Sequence, residues 1–359
     1  MKVLILNQYV PPDPSPTAFL VGEISGLLRA QGHEPVWLGK GTDYGVRRRG
    51  LARWRYDLSS WLGILVSGLA APRAGVVVVM TSPPCLLLAG ALVALRHRAR
   101  LVHWAMDLYP ETAVALGECG PGVGSLVSRL MGWAYAACDL VIALDWDMAS
   151  LLEKKYRIAP AVLAPWGSSL EIPTGSARNK RERRVWMYSG NLGRAHDWKT
   201  LLDAQEKLEQ SGCPWDLVVQ GGGAGYEAAR DEAVRRNLRH CRWLPYAETE
   251  RLVESLLEAD VLVATRRPEL RGLLWPSKLA LLQALPRPLV WVGETGGAVA
   301  ETLGARGGAV AFSRGDASGL AAWLSDFTPP GTAIDVVPLE VVRRQSHERW
   351  FGLFSNALK

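Results

Sequence analysis

A chain of 359 residues is longer than one hydrophobic core usually serves, so two domains are expected. With 48% hydrophobic and 21% charged residues the composition is that of a globular protein, which excludes a disordered chain. A net charge of +6 points to anionic partners (phosphates, nucleic acid or a membrane surface), and five cysteines without C-x-x-C spacing argue for reduced thiols in a cytoplasm and against zinc.

The opening MKVLILNQYV passes from a short apolar run straight into polar residues, the pattern of a first β-strand and not of a signal peptide. Buried strands are expected at KVLIL, PVWLG, GVVVVM, ARLVHWA, DLVIAL and AVLAP, because each is almost continuously apolar. Helical patterns lie between them, such as TAFLVGEISGLLRAQG, which closes on Gly32 as a C-terminal cap. The longest apolar stretches, WLGILVSGLAAP and CLLLAGALVAL, fall well short of the roughly 18 to 20 residues that span a bilayer. EIPTGSARNKRERR, residues 171–184, is polar and reads as a linker. After it the alternation resumes with RVWMYSG, WDLVVQGGG, CRWLPY, DVLVAT, PLVWVG and GAVAF. Two runs of βα units predict an α/β chain with two Rossmann-like doubly wound domains facing each other across a cleft. Residues 1–170 form the first domain and 185–336 the second, and a C-terminal helix over 337–359 packs back across the hinge.

In chain order, the first candidate site is RRRGLARWRYDLSSWLGILVSGL, residues 47–69, opening on Arg47 and closing on Leu69. Its clustered arginines, Trp54, Trp61 and aliphatic helix suit an anionic membrane interface, or else an ordinary helix behind a solvated basic turn. Nucleic acid is set aside, since the arginines cluster at one place without a recognisable module. VHWAMDLYPETAVALG puts Asp107 and Glu111 just beyond a buried strand, where carboxylates can handle an acceptor hydroxyl; Asp107 as a helix cap is the alternative. DWD, residues 145–147, reads as a helix N-cap at Asp145 and not as a metal site. The histidines show no ligand spacing, and only His196 lies near a candidate loop. The fifteen tryptophans are dispersed and are expected in cores and interfaces.

Three loops of the second half follow strands directly. In YSGNLGR, Gly190 and Gly193 let backbone approach a ligand, and Arg194 can clamp a phosphate, unless the loop is a plain tight turn. QGGGAGYE resembles a dinucleotide fingerprint only weakly. GLLWPSKLALLQALPRP, residues 272–288, sets Lys278 at the start of an apolar helix, with Pro276 and Ser277 in its first turn. A buried ammonium without an anion is costly, so Lys278 either snorkels to water or meets a phosphate there with the helix terminus.

Taken in order, NQYVPPDPSPTAFLVGEISGLLRAQGHEP, TSPPCLLLAG, DLYPETAVALG, YSGNLGRAH and RRPELRGLLWPSKLALLQALPRPLVWVG resemble GT-B glycosyltransferases of glycosyltransferase family 4. These are retaining, nucleotide-sugar-dependent enzymes, and the nearest likeness is to a bacterial branch of surface-polysaccharide and lipid-linked oligosaccharide assembly. The resemblance covers the chain essentially end to end. It implies a donor, most readily a UDP-sugar, held in the second domain by Gly190, Asn191, Arg194, Ser277 and Lys278, with Arg194 and Lys278 on the diphosphate. It implies that Ser15, Pro16 and Thr17 close over the donor from the first domain, and that Asp107 is the catalytic, acceptor-side residue with Glu111 and His196 beside it. No metal and no other cofactor are implied, since cationic side chains stabilise the leaving diphosphate. Retention would follow from attack on the face from which the diphosphate departs, the donor's phosphate helping to take the proton.

The chain departs from the family pattern. Leu273 and Leu281 stand where many members carry glutamates, the second of which binds ribose; Glu269 can compensate in part. Pro286 and Ser15-Pro16 replace usual glycines, and His196 falls near the place of a second lysine. The function implied is retaining, metal-independent hexosyl transfer to a glycan or polyprenyl-diphosphate-linked acceptor, by a cytoplasmic protein peripheral to the inner face of the membrane. A nucleotide-sugar epimerase or a non-catalytic GT-B-like binding subunit are the alternatives.

Overall fold

The computed structural model describes residues 1–40, 50–166, 170–172, 182–329, 334 and 336–358. Arg47 and its two neighbouring arginines, and most of the expected linker, lie outside the described residues. The chain divides into two compact units, residues 1–168 with 272–275 and 342–359, and residues 169–271 with 276–341.

The first unit alternates β1 (Lys2–Leu6), α1 (Pro16–Ala30), β2 (Glu34–Leu38), α2 (Gly50–Ala70), β3 (Val76–Val79), α3 (Leu86–His97), β4 (Arg100–Trp104), α4 (Glu111–Ala115), α5 (Pro121–Ala136), β5 (Leu140–Ala143), α6 (Trp146–Tyr156) and β6 (Ala161–Val162). All its strands pair in parallel, in the order β2-β1-β3-β4-β5-β6. The apolar runs are explained by this arrangement: a parallel strand covered on both faces has no solvated side, and all four valines of β3 are fully buried. Each such side chain contributes roughly 1.5 to 3 kcal/mol of burial. AVLAP yields only a two-residue strand, at the sheet edge.

The second unit alternates β7 (Arg184–Asn191), α7 (Lys199–Gln210), β8 (Trp215–Gly222), α8 (Ala224–Arg235), β9 (Cys241–Leu244), α9 (Leu252–Leu257), β10 (Val261–Thr265), α10 (Leu279–Ala284), β11 (Leu289–Gly293), α11 (Ala298–Arg306), β12 (Ala309–Ser313) and α12 (Ala317–Ser325). Its strands are again all parallel, in the order β12-β11-β10-β7-β8-β9. The strand run therefore begins at Arg184, one residue before the bound read from sequence. Six tryptophans are fully buried, with Trp186, Trp215 and Trp291 inside this unit. The last helix, α13 (Leu339–Ala357), joins the first unit from Val342 onward, where Trp350 and Phe354 are buried and Arg343 meets Glu23 at 2.8 Å.

In each unit the chain builds outward on one side of its first strand and then crosses to the other side. The switch falls between β1 and β3 in the first unit and between β7 and β10 in the second. The carboxyl ends of strands at such a switch are where doubly wound sheets hold ligands.

Candidate functional site

At the carboxyl end of β7 the chain reads Tyr188, Ser189, Gly190, Asn191. Lys278 comes to this strand end from its own loop. Its Nζ lies 3.5 Å over the ring of Tyr188 and is buried without a hydrogen-bond partner among the described residues. A Cβ at Gly190 would stand 3.1 Å from that Nζ, and Gly190 has φ +126°, so glycine is needed both for the backbone and for the ammonium. Burial drives the Lys278 ammonium well below the usual lysine range. Snorkelling is thereby excluded: the head group points inward.

The helix behind Lys278 differs from the sequence expectation. Helix α10 has six residues and starts at Leu279, with Lys278 as its N-cap, so Pro276 and Ser277 precede it. The turn is closed by the Leu279 N–H donating to the Pro276 carbonyl at 3.0 Å, and the helix ends before Pro286 and Pro288, which cannot continue it. With so short a helix, the charge of Lys278 is the main cationic feature and the terminus adds little. Residues 272–275 are not part of the helix: they lie in the first unit, where Leu274 forms an antiparallel bridge with Asp107.

The neighbouring cations are already matched. Arg266, fully buried at the end of β10, pairs with Glu294 and lies over Trp291. Arg267 pairs with Glu269 at 3.5 Å, and Arg314 meets the same carboxylate at 2.6 Å. The Glu269 carboxyl is held below its ordinary range by its own backbone N–H first, then by Arg314 and Arg267. Glu269 thus stands half-exposed between two arginines. Arg194 and Asn191 are exposed, as is Ser277, while His196 is tied inward. The His196 Nδ1–H donates to the Thr265 carbonyl at 2.6 Å, and burial, then Lys278, push its pKa down to about 3. The ring is therefore neutral, with Nε2 left as an acceptor. His196 also packs edge-on against Tyr188. The structure thus brings Gly190, Lys278 and His196 together at the switch between β7 and β10.

The glycines of QGGGAGYE have a structural reason. A Cβ at Gly221 would fall 2.1 Å from the Gly190 carbonyl, and one at Gly223 would fall 2.3 Å from Asn191 Oδ1. They allow β8 and its loop to pack backbone to backbone against the Gly190 loop.

In the first unit Ser15 is the N-cap of α1: its Oγ accepts from the Ala18 N–H at 3.2 Å and its own N–H donates to Asp13. Pro16 occupies the first helical turn and is exposed, and Thr17 is half-buried. The Ser15 hydroxyl is engaged in capping. Asp107 follows β4. The cap of α4 is Pro110 and no side chain caps that helix, so the capping role for Asp107 is overturned. Its backbone N–H donates to Thr81 Oγ1 at 3.4 Å, which also accepts from the Met106 N–H at 2.7 Å. The side chain lines a small hollow with Thr81, Cys85, His103, Tyr109 and Tyr135, and burial raises its pKa to about 6. Among the described residues it has no ion-pair partner. Glu111 is bound up instead, by Lys155 at 2.5 Å, the Tyr156 hydroxyl and the Ser128 hydroxyl at 3.1 Å, which fasten α4, α5 and α6. In this arrangement it ties these three helices together. Asp145 caps α6 as expected, accepting from the Met148 N–H at 2.6 Å.

Sequence reasoning missed Tyr188, which carries the Lys278 ammonium on its ring, and Thr81, which holds the Asp107 backbone. An aromatic residue two positions before a strand-end glycine and a threonine just after a valine run were the available signals. Leu273 and Leu281 are both buried, the first in the first unit, where its carbonyl accepts from the Leu108 N–H at 2.8 Å.

No protein-family model matches the chain. In sequence it is similar to WbjE of Pseudomonas aeruginosa, named as a probable glycosyltransferase, with 24% identity over 248 residues, 65% of this chain. It is also 23% identical over 341 residues, 79% of this chain, to WcaI of Escherichia coli K12, whose name places it in colanic acid biosynthesis as a glycosyl transferase. The chain spans 61% of the length of the first relative and 81% of the second. In fold it is similar to sucrose-phosphate synthase of Thermosynechococcus elongatus, with a TM-score of 0.71, 14% identity, and 99% and 100% of the two chains covered. HepE of Anabaena, solved in complex with UDP-glucose, gives a TM-score of 0.63 at 13% identity over 98% and 100% of the chains. The chain has the GT-B architecture of two parallel six-stranded sheets, and its likeness in sequence and fold is to glycosyltransferases, in accord with the resemblance read from its motifs.

Proposed function

We propose that the protein is a retaining, metal-independent glycosyltransferase of the family 4 kind. It moves a hexosyl group from a nucleoside diphosphate sugar, most readily a UDP-sugar, to a lipid-linked saccharide in surface-glycan assembly at the cytoplasmic face of a membrane. The observation that carries this reading is the Lys278 ammonium, buried and unpaired at the switch of the second sheet. An unpartnered buried cation is costly, and a diphosphate is the anion that would repay it at a place where such sheets take nucleotides. The names of WbjE and WcaI, and the UDP-glucose complex of HepE, support the substrate class.

In this reading Lys278 neutralises the β-phosphate as the glycosidic bond breaks, which stabilises the leaving group where its charge develops. Arg194, Asn191 and Ser277, exposed around the same strand ends, complete the phosphate contacts. Asp107 receives the acceptor hydroxyl, its carboxyl poised near pH 6 so that it is ionised yet basic at neutral pH.

Thermal denaturation of the wild type and Lys278→Ala against UDP, GDP, ADP, CMP and NAD tests the assignment. A ligand at 100 times its dissociation constant adds about 2.7 kcal/mol of stability. One nucleoside diphosphate should stabilise the wild type and not the variant. Stabilisation by none of them would favour a non-catalytic subunit, and epimerised sugar without acceptor would favour the epimerase.

A further inference from the structure

Helices α2, α3 and α5 lie side by side, α2 against α3 and α3 against α5, as one layer on one face of the first unit's sheet. The outward side of this layer is apolar. Helix α2 buries only Ser60, Ile64 and Gly68 of its 21 residues, and exposes Leu51, Trp54, Leu58, Leu62 and Val66 at helical spacing. Leu51 is 84% exposed and Trp54 70%. Helix α5 repeats the pattern with Val123, Leu126, Leu130 and Trp133, and α3 between them exposes Leu92 and Leu95. Eleven of the seventeen exposed large apolar side chains among the described residues fall on these three helices, so the apolar surface is concentrated and not scattered.

The exposed charges of the layer are arginines. Arg53, Arg55, Arg96, Arg98 and Arg129 are exposed along it. The only acid within the three helices is Asp57, half-buried, which meets Arg53 at 3.7 Å and accepts from the Gln8 amide; Glu118, just before α5, meets the same arginine at 3.9 Å. A second copy of the chain would set arginine against arginine across such a face. No described helix is long and apolar enough to cross a membrane.

We propose that α2, α3 and α5 form a docking face that beds into the surface of an anionic lipid bilayer. Tryptophans and leucines enter the headgroup boundary, and arginines meet the lipid phosphates. The face belongs to the first unit and Lys278 to the second, and the proposal reaches beyond the glycosyltransferase reading, since it would hold for any chemistry carried on the fold.

Vesicle co-sedimentation at low and high salt decides the matter, with phosphatidylcholine alone or mixed with phosphatidylglycerol. The wild type should bind the mixed vesicles at low salt, and bind more weakly at high salt or on the neutral lipid. Each surface arginine contributes about fivefold to partitioning, so Arg53→Gln with Arg55→Gln should weaken binding about thirtyfold. Leu58→Glu with Leu126→Glu, two outward positions on separate helices, should abolish it. Circular dichroism should show all variants folded, which exposed positions permit. Failure of the wild type to bind mixed vesicles at low salt would overturn the proposal. So would indifference to lipid charge, or a wild-type dimer that the double leucine variant turns into a monomer. The readout needs no donor, so it stands or falls apart from the glycosyltransferase reading.

Discussion

Replacing Lys278 by methionine keeps an unbranched side chain of similar length and removes the charge. The ammonium it removes is buried, has no hydrogen-bond partner and rests only on the Tyr188 ring. A desolvated cation–π contact returns about 2 kcal/mol, less than the several kcal/mol that an ion loses on leaving water. Exchanging a buried charge for a well-packed apolar group typically gains 1 to 4 kcal/mol, so Lys278→Met should stabilise the second unit by about 2 kcal/mol at pH 7. For a unit of this size that is a rise of roughly 4 to 8 °C in Tm. The gain carries a pH signature. Because the Lys278 pKa lies below its unfolded value near 10.4, the unfolded chain holds a proton that the folded chain lacks across the interval between the two. Wild-type stability therefore rises with pH through that window relative to the variant, and the difference should close as pH approaches about 10. Denaturant melts of both proteins from pH 7 to 10 measure it. A variant less stable than wild type at pH 7, with a pH-independent difference, would refute the reasoning, because the ammonium would then have a partner.

Asp107→Asn should lower kcat with little change in donor affinity, and it should remove the acid limb that the wild-type rate shows as pH falls through about 6; a pH–rate profile that keeps this limb in the variant would assign it to another group. Glu111→Gln removes the anion that Lys155 and the Tyr156 and Ser128 hydroxyls share, and should cost roughly 1 to 3 kcal/mol in denaturant melts while leaving nucleotide binding unchanged. Leu273 and Leu281, buried and apolar, offer no carboxylate to the ribose of the proposed donor. UDP and 2′-deoxy-UDP should therefore bind within about threefold of each other by calorimetry, whereas a charged hydrogen bond worth about 1.5 to 3 kcal/mol would separate them more than tenfold.

The strands were legible because parallel strands buried on both faces admit few polar residues, and Val76–Val79 or Val261–Thr265 have hardly any alternative. Lys278 was legible for a related reason, as a charge in an apolar setting. What the sequence hid is carried by backbone atoms or by distant partners. The docking of residues 272–275 in the first unit uses the Leu273 carbonyl and the Asp107–Leu274 bridge, which leave no side-chain signature. Glu111 looked equivalent to Asp107 by position, yet its partners come from α5 and α6, far along the chain. The short extent of α10 could have been read from Pro286 and Pro288, but the apolar period of the segment outweighed them.

The distribution of charge at the end of the second sheet argues most directly for a ligand. Arg266 has Glu294, Arg267 and Arg314 share Glu269, and Arg287 and Arg306 are absorbed by backbone carbonyls, with Arg306 donating to those of Gln283 and Arg287 at the end of α10. Each of these cations has a permanent anion or dipole within the fold. Among the described residues Lys278 has neither: its head group is buried over the Tyr188 ring, where the absence of a partner is costly. Stability alone would have replaced it, since an apolar side chain there is the better choice for the folded state. Gly190, whose missing Cβ leaves room for its head group, sits with the unpaired charge at the divergence of β7 and β10. The fold bears a standing cost at the point where doubly wound sheets admit phosphates, and the proposed diphosphate would remove it.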